Sequence, residues 1–248
     1  MLESKQNHLI KTWKKLHKKK YRDEWQLFLV EGWHLVEEAI KSNWSIETLV
    51  VSEDHNIPEA WEDLKITQVT TEVFQYISQT ETPQGIMAVV KYKDHPRIDS
   101  FNKVLLVDAV QDPGNVGTMI RSALAFNIDG VILGKGTVDL YHDKVIRGTQ
   151  GALFHIPVIR DDLANWIHQL KDRNIPVFGT ELDEKAKPLQ EVRAKDFGII
   201  VGNEGSGVNP TLLSQVDDTI YIPIHQQSES LNVGVATSIV LYHFAHLT

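Results

Sequence analysis

The chain has 248 residues, 42% of them hydrophobic, which bounds it to one large or two modest domains with real cores. It has no cysteine, which excludes disulfides, thiolate metal sites and a cysteine nucleophile and fits a cytoplasmic protein. No apolar run reaches the roughly 18 residues of a membrane span, and no secretory stretch follows the start, so no membrane role is expected.

The net charge of −8 argues against nucleic acid until its distribution is read. The first 20 residues hold seven lysines and one acid, a net +6, so the remainder carries −14. Within this segment Leu9, Ile10, Trp13 and Leu16 fall near helical spacing. A basic amphipathic helix can meet RNA phosphates, a membrane surface or a partner. The plainer alternative is a solvated helix docked by its apolar stripe.

Further along, residues 27–30 read as a strand, 32–40 as a helix and 46–51 as a strand. Residues 71–78 look helical with Thr71 as cap, and 85–90 form another strand. Residues 93–100 are polar, contain proline and lack a hydrophobic period, as a linker should. The domains expected are therefore 1–94 and 101–248. After the linker, strands at 103–107, 130–133, 175–178 and 197–201 alternate with helices at 116–126, 163–170 and 233–246. That rhythm predicts an α/β fold with a parallel sheet covered on both faces.

Three polar corners follow apolar strands in the second half, where open α/β sheets bind ligands. The first runs from Asp108 to Arg121. Pro113-Gly114 makes a turn, Asn115 suits a helix cap, Gly117 allows close approach and Arg121 lies two turns on. The alternative is an ordinary capped helix with a surface arginine. The second, from Gly202 to Gly207, places three glycines in six residues around Asn203 and Glu204, so that a backbone can wrap a ligand. It matches neither a dinucleotide fingerprint nor a Walker loop. Glu204 suits a hydroxyl, a base edge or a neighbouring arginine, or is a loop glutamate in solvent. The third runs from a strand into Ile222-Pro223-Ile224, a polar loop, and then Ser230-Leu231-Asn232 at the start of the last helix. Helix starts expose unpaired N–H groups and a positive dipole end. Ser230 and Asn232 either cap that helix or shape a ligand corner. Eleven histidines are present, but none forms a metal-ligand cluster in the sequence, and His142-Asp143 reads as a turn.

Taken together and in this order, the corners resemble the three motifs of the SpoU (TrmH-like) family of RNA ribose methyltransferases. The matches are Asn115-Val116-Gly117 with Arg121, Gly202 to Gly207, and Ile222-Pro223-Ile224 through Ser230-Leu231-Asn232-Val233. The stretch 139–157, with Lys144-Val145-Ile146-Arg147 and Gly151-Ala152-Leu153-Phe154, is similar to the family's segment between motifs one and two. Phe28-Leu29-Val30-Glu31-Gly32 and Thr82-Pro83-Gln84-Gly85-Ile86 resemble the L30e-like substrate domain of its ribosomal RNA branch. The chain departs from the pattern at Gln226, where the family often has glycine, and at Gly234, where serine or alanine is common.

The resemblance implies a SPOUT-type trefoil-knotted, parallel-sheet methyltransferase domain behind a smaller L30e-like α/β domain. Knots are rare among folds, and no periodicity reveals one. It implies S-adenosylmethionine held near Gly202, Ile222 and Leu231, a homodimer with the site close to its interface, and no metal. The activity implied is methyl transfer to a ribose 2′-hydroxyl, most simply in ribosomal RNA. Arg121 falls on the hydroxyl side. A guanidinium stays protonated at neutral pH, so the role expected is to stabilise a developing alkoxide or hold a phosphate. Asn115 and Glu204 would orient Arg121, while Ser230 and Asn232 would contact substrate or shape the pocket. The rivals are a transfer RNA ribose methyltransferase and a non-catalytic RNA-binding or ribosome-assembly protein of the same architecture. A Rossmann-type nucleotide enzyme lacks its phosphate loop here.

Overall fold

A computed structural model describes residues 1–93, 100–183 and 185–246. The linker read at 93–100 falls mostly outside them. The chain forms two compact units, Met1–Asp94 with Asp139–Phe154, and His95–Val138 with His155–Thr248.

In the first unit a four-stranded sheet has the order β1-β4-β2-β3. The strands are β1 (Leu27–Glu31), β2 (Ile46–Ser52), β3 (Ile66–Val69) and β4 (Ile86–Lys91). β4 lies antiparallel to both β1 and β2, and β3 is parallel to β2. The central strands β2 and β4 are buried along most of their length, which is why Leu49-Val50-Val51 and Ile86 to Val90 read as apolar runs. β3, an edge strand, carries only the weak alternation of Ile-Thr-Gln-Val and escapes a sequence reading.

Helix α1 (His8–Lys15) packs with α4 (Thr71–Ile77) on this sheet. Ile10, Trp13 and Leu16 are buried among Val50, Val69, Phe74 and Met87. Leu9 departs from the expected stripe and is 42% exposed. Burying side chains of this size stabilises by about 1.5–3 kcal/mol each, so the basic segment is part of the core. Asn7 caps α1 by accepting from Leu9 N–H. The cap of α4 is Thr70, which accepts from Val73 N–H, one residue before the Thr71 expected.

The sequence also hides α2 (Lys19–Trp25), whose charged run has no apolar period. Its Arg22 is buried and donates to the Leu16 carbonyl at 2.7 Å and to the Asp139 carboxylate. The segment Asp139–Phe154 includes α6 (Asp143–Thr149), so His142-Asp143 starts a helix instead of making a free turn. His142 caps it by accepting from Lys144 N–H at 3.3 Å.

In the second unit all pairings of a seven-stranded sheet are parallel, in the order β7-β6-β5-β10-β8-β11-β9. The longer strands are β5 (Lys103–Val107), β6 (Gly130–Leu133), β8 (Val177–Thr180), β10 (Phe197–Val201) and β11 (Asp218–Tyr221). The short β7 (Val158–Arg160) and β9 (Lys187–Pro188) lie at the two edges, too brief to show a pattern. From β5 the chain steps outward to β6 and β7, and on the other side of β5 it returns through β10. The reversal between β5 and β10 is a topological switch point, the place where such sheets leave a crevice. Around β5 lies a core that includes Val104, Leu106, Ile132, Trp166, Val177 and Ile200. Helices α5 (Pro113–Ala125) and α9 (Val233–Ala245) pack on each other, and Ser122 and Ser238 share a 2.7 Å hydrogen bond across them. No helix among the described residues is long and apolar enough to cross a membrane.

Candidate active site

The loops after β5 and β10 are tied together at the switch point. Asp108, almost fully buried, accepts from Asn209 N–H at 2.8 Å. Asn203 donates through Nδ2 to the Ala109 carbonyl at 2.9 Å. Ala109 has φ of 53°, a left-handed conformation uncommon without glycine. The glycine loop closes on itself, Asn203 and Gly207 exchanging backbone hydrogen bonds at 3.0 Å. Inside it, Asn203 Oδ1 accepts from Gly205 N–H and Ser206 N–H. A Cβ at Gly202 would lie 2.1 Å from the Gly207 carbonyl carbon and the Val208 nitrogen, so no side chain fits there. Gly207 sits at φ of 69°, where glycine is favoured.

A cavity of about 680 Å³ opens at the carboxyl ends of β8, β10 and β11. Residues 202–208, 220–222 and 230–233 line it, and so do Thr180, Glu181 and Leu182. The last three went unnoticed in the sequence, although the end of a parallel strand was the signal that could have found them. Gly202, Ile222, Leu231, Glu204, Ser230 and Asn232 all lie on its wall.

Three of the expected side chains form one chain of hydrogen bonds. Asn232 caps α9, accepting through Oδ1 from Gly234 N–H at 3.0 Å and Val235 N–H at 3.2 Å. Its Nδ2 donates to Asn115 Oδ1 at 2.9 Å, and Asn115 Nδ2 donates to Glu204 Oε1 at 2.9 Å. The direction of this relay is fixed at both ends. Backbone N–H groups can only donate, and an ionised carboxylate can only accept. Both amides are therefore locked in one orientation, and Glu204 is held against the cavity with its other oxygen free for a ligand.

Two expectations need correction. Asn115 does not cap α5. Asp112 does, accepting from Asn115 N–H at 2.8 Å, with Pro113 in the first turn. Asn115 lies inside the helix, 9% exposed, with its side chain turned to Glu204 and Asn232. Nor do Asn115 and Glu204 orient Arg121. At 100° per residue Arg121 stands about 120° around α5 from Asn115. It is exposed, does not line the cavity, and has no hydrogen-bonding or ionic partner among the described residues.

Residues 102–242 match the model of the SpoU rRNA Methylase family. The chain belongs to this family. Residues 7–88 match the MRM3-like substrate binding domain. Among curated relatives, the chain is 45% identical to the 23S rRNA (guanosine(2553)-2'-O)-methyltransferase RlmP of Bacillus subtilis (strain 168), over 98% of each. The AdoMet-bound rRNA methyltransferase from Sinorhizobium meliloti superposes with a TM-score of 0.88 at 28% identity, over 98% of this chain and 95% of that one. The TrmH/SpoU tRNA modifying enzyme of A. aeolicus reaches a TM-score of only 0.50 at 25% identity and covers 57% of this chain and 73% of its own. The fold is thus the SPOUT methyltransferase fold that the motifs imply, with an N-terminal substrate-binding domain.

S-adenosylmethionine is the methyl donor of this family, and the residues present fit it. The cavity is within the range of about 300–1,000 Å³ typical of small-molecule sites. Its walls are apolar at Ile220, Ile222, Leu231 and Val240, bare backbone at Gly202, and carry two carboxylates suited to a cationic ligand, Glu181 and Glu204.

Proposed function

We propose that this chain transfers a methyl group from S-adenosylmethionine to the 2′-hydroxyl of a guanosine in 23S ribosomal RNA, and that it does so in the cytoplasm as a homodimer. The observation that carries the reading is the Glu204–Asn115–Asn232 relay on the wall of a cavity sized for the cofactor. A protein that only bound RNA would have no use for a carboxylate locked in this way. The near-complete match to a 23S rRNA guanosine methyltransferase favours that substrate. The transfer RNA enzyme, by contrast, matches little more than half of the chain.

When bound, the cofactor supplies an activated methyl group beside a positive sulfonium. Gly202, Ile222 and Leu231 hold it, and the apolar walls exclude water. Glu204 keeps one oxygen on Asn115 and turns the other to the cavity, where it would accept a hydrogen bond from the ribose hydroxyl and take up the proton that the hydroxyl loses as it is methylated. Ser230, on the rim, meets the substrate. Asn115 and Asn232 are positioning residues that act through Glu204 and the start of α9. Holding the reactants in register contributes several kcal/mol of the barrier.

Arg121 serves the site across the dimer. Its helix face is exposed, and the neighbouring α9 presents Val235, Ile239 and Tyr242 to solvent, an apolar stripe at helical spacing with Tyr242 56% exposed. A second copy covering that stripe brings its own Arg121 towards this cavity, where the cation stabilises developing alkoxide or grips the adjoining phosphate.

The test is transfer of labelled methyl to 23S rRNA in vitro. The expected product resists alkaline cleavage at one guanosine, because its 2′-oxygen is blocked. Label on a base would refute ribose methylation, and label confined to transfer RNA would redirect the substrate.

A further inference from the structure

We propose that the solvent face of α1 and α2 grips the RNA backbone, with Tyr76 holding the ammonium group of Lys14 and Tyr21 those of Lys15 and Lys20 in place for phosphates. The inference rests on the RNA-directed reading above and adds where, and by what device, the RNA is held.

The apolar side of α1 is already committed. Ile10, Trp13 and Leu16 lie in the core of the first unit, which turns the lysines outward. Lys5 and Lys19 are engaged by Glu72 and Asp23. Lys11, Lys14, Lys15, Lys18 and Lys20 have no carboxylate partner among the described residues, although the rest of the chain carries −14. Two rings sit among them. The ammonium groups of Lys5 and Lys14 stand 5.6 and 5.1 Å from the centre of the Tyr76 ring, which is 38% exposed. Those of Lys15 and Lys20 stand 5.4 and 5.8 Å from the centre of Tyr21. All four distances are inside the roughly 6 Å reach of cation–π attraction. Tyr21 is itself steadied by Trp25, ring centres 5.1 Å apart.

Two ammonium groups sharing one ring repel each other. The negative ring face offsets that repulsion and restrains two long side chains; at Tyr21 the N–H donors of both stay open, and at Tyr76 those of Lys14 do, Lys5 being taken by Glu72. Such pairs match successive phosphates of a polyanion and read no base, as backbone contacts do. An anionic membrane would attract the same charge, but a surface-lying helix must also bury an apolar face. Here that face is inside the protein and only Leu9 remains outside, so RNA is the occupant.

Deleting the segment would remove core residues, so the test uses substitutions in the full-length chain. The quadruple variant K11Q/K15Q/K18Q/K20Q, Tyr21→Leu and Tyr21→Phe are compared with the parent for binding to a short single-stranded RNA across a salt series. Each phosphate contact contributes about −0.7 to the slope of log affinity against log salt. The quadruple variant should flatten the slope by roughly 2–3 units. Tyr21→Leu should flatten it by about one unit, and Tyr21→Phe, which keeps the ring, should restore the parent slope. Melting curves should match the parent in all three, which shows that they are folded, and S-adenosylmethionine affinity by calorimetry should be unchanged. An unchanged slope in the folded quadruple variant overturns the proposal. Equal losses in the Leu and Phe variants overturn the role of the ring. Parent protein that binds phosphatidylglycerol vesicles in preference to the RNA overturns the choice of occupant. A parent that methylates rRNA while the quadruple variant keeps its slope loses the grip alone. A steep, lysine-dependent slope without any methyl transfer loses the enzymatic reading and keeps the grip.

Discussion

At the cavity of the second unit the relay side chains are held one by another: the α9 backbone by Asn232, Asn232 by Asn115, and Asn115 by Glu204. On the lysine face of the first unit the charges are left open, restrained by rings and carried on a helix that only its apolar side attaches. The first region trades freedom for position. Amides fixed in one orientation aim a carboxylate, and a shift of about 1 Å in such a site costs on the order of 10²-fold in rate. The second keeps its charges available to any phosphate, and its contribution is graded and sensitive to salt. Damage to the cavity should therefore be abrupt and chemical, while damage to the face should be additive and electrostatic.

The largest effect expected is from Gly202→Ala. A methyl group 2.1 Å from the Gly207–Val208 peptide forces the loop open. Calorimetry should find S-adenosylmethionine binding lost, and ordinary affinity would mean that the loop does not shape the cofactor site. Next, Asn115→Ala breaks the relay at its middle, leaving Glu204 unheld. We expect turnover lower by about 10²-fold in single-turnover assays, with cofactor affinity nearly kept. Asn232→Ala should do the same with a lower melting temperature, since losing a helix cap costs about 0.5–2 kcal/mol.

The comparison is sharpened by mixing inactive chains. Arg121→Ala alone should nearly abolish turnover without weakening the cofactor. If Arg121 acts across the dimer, mixing Arg121→Ala with Asn115→Ala chains should restore part of the activity, since one site in each mixed dimer has both groups intact. No recovery on mixing, with dimers confirmed by light scattering, would return Arg121 to its own chain's site.

The smallest effect expected belongs to the first unit. His17, half-buried, bonds the Ile77 carbonyl, and burial holds its pKa below the ordinary 6.5; the Lys14 charge adds to this, while the Ile77 bond, Asp143 and Glu31 oppose it. The unfolded chain therefore takes up a proton near pH 6.5 that the folded chain refuses. Stability from this group is full above that pH and declines as pH falls below it. Melting temperature against pH should show this acid-side loss in the parent and less of it in His17→Gln. A parallel pair of curves would remove His17 from the balance.

The positions of Gly202, Glu204, Asn115, Ser230 and Asn232 were legible in the chain, because each follows an apolar run that forms a parallel strand or precedes one that forms a helix. The seven lysines and the stripe beneath them were equally plain, though the sequence left open whether the stripe docks the helix, and the structure places Ile10, Trp13 and Leu16 in the core. Periodicity reports only which side of an element is dry. It could not say that Asn115 turns inward to Glu204 while Asp112 takes the cap, nor that Arg121 faces away, because those outcomes depend on which loops β5 and β10 bring together. The same limit hid α2, β3 and α6, whose short or charged runs are fixed by partners distant in sequence. Local pattern thus determined the elements, the motifs and the charge of the N-terminal face. Tertiary structure alone decided which polar groups bond one another, because a hydrogen bond is set by distance and direction between residues that the sequence keeps far apart.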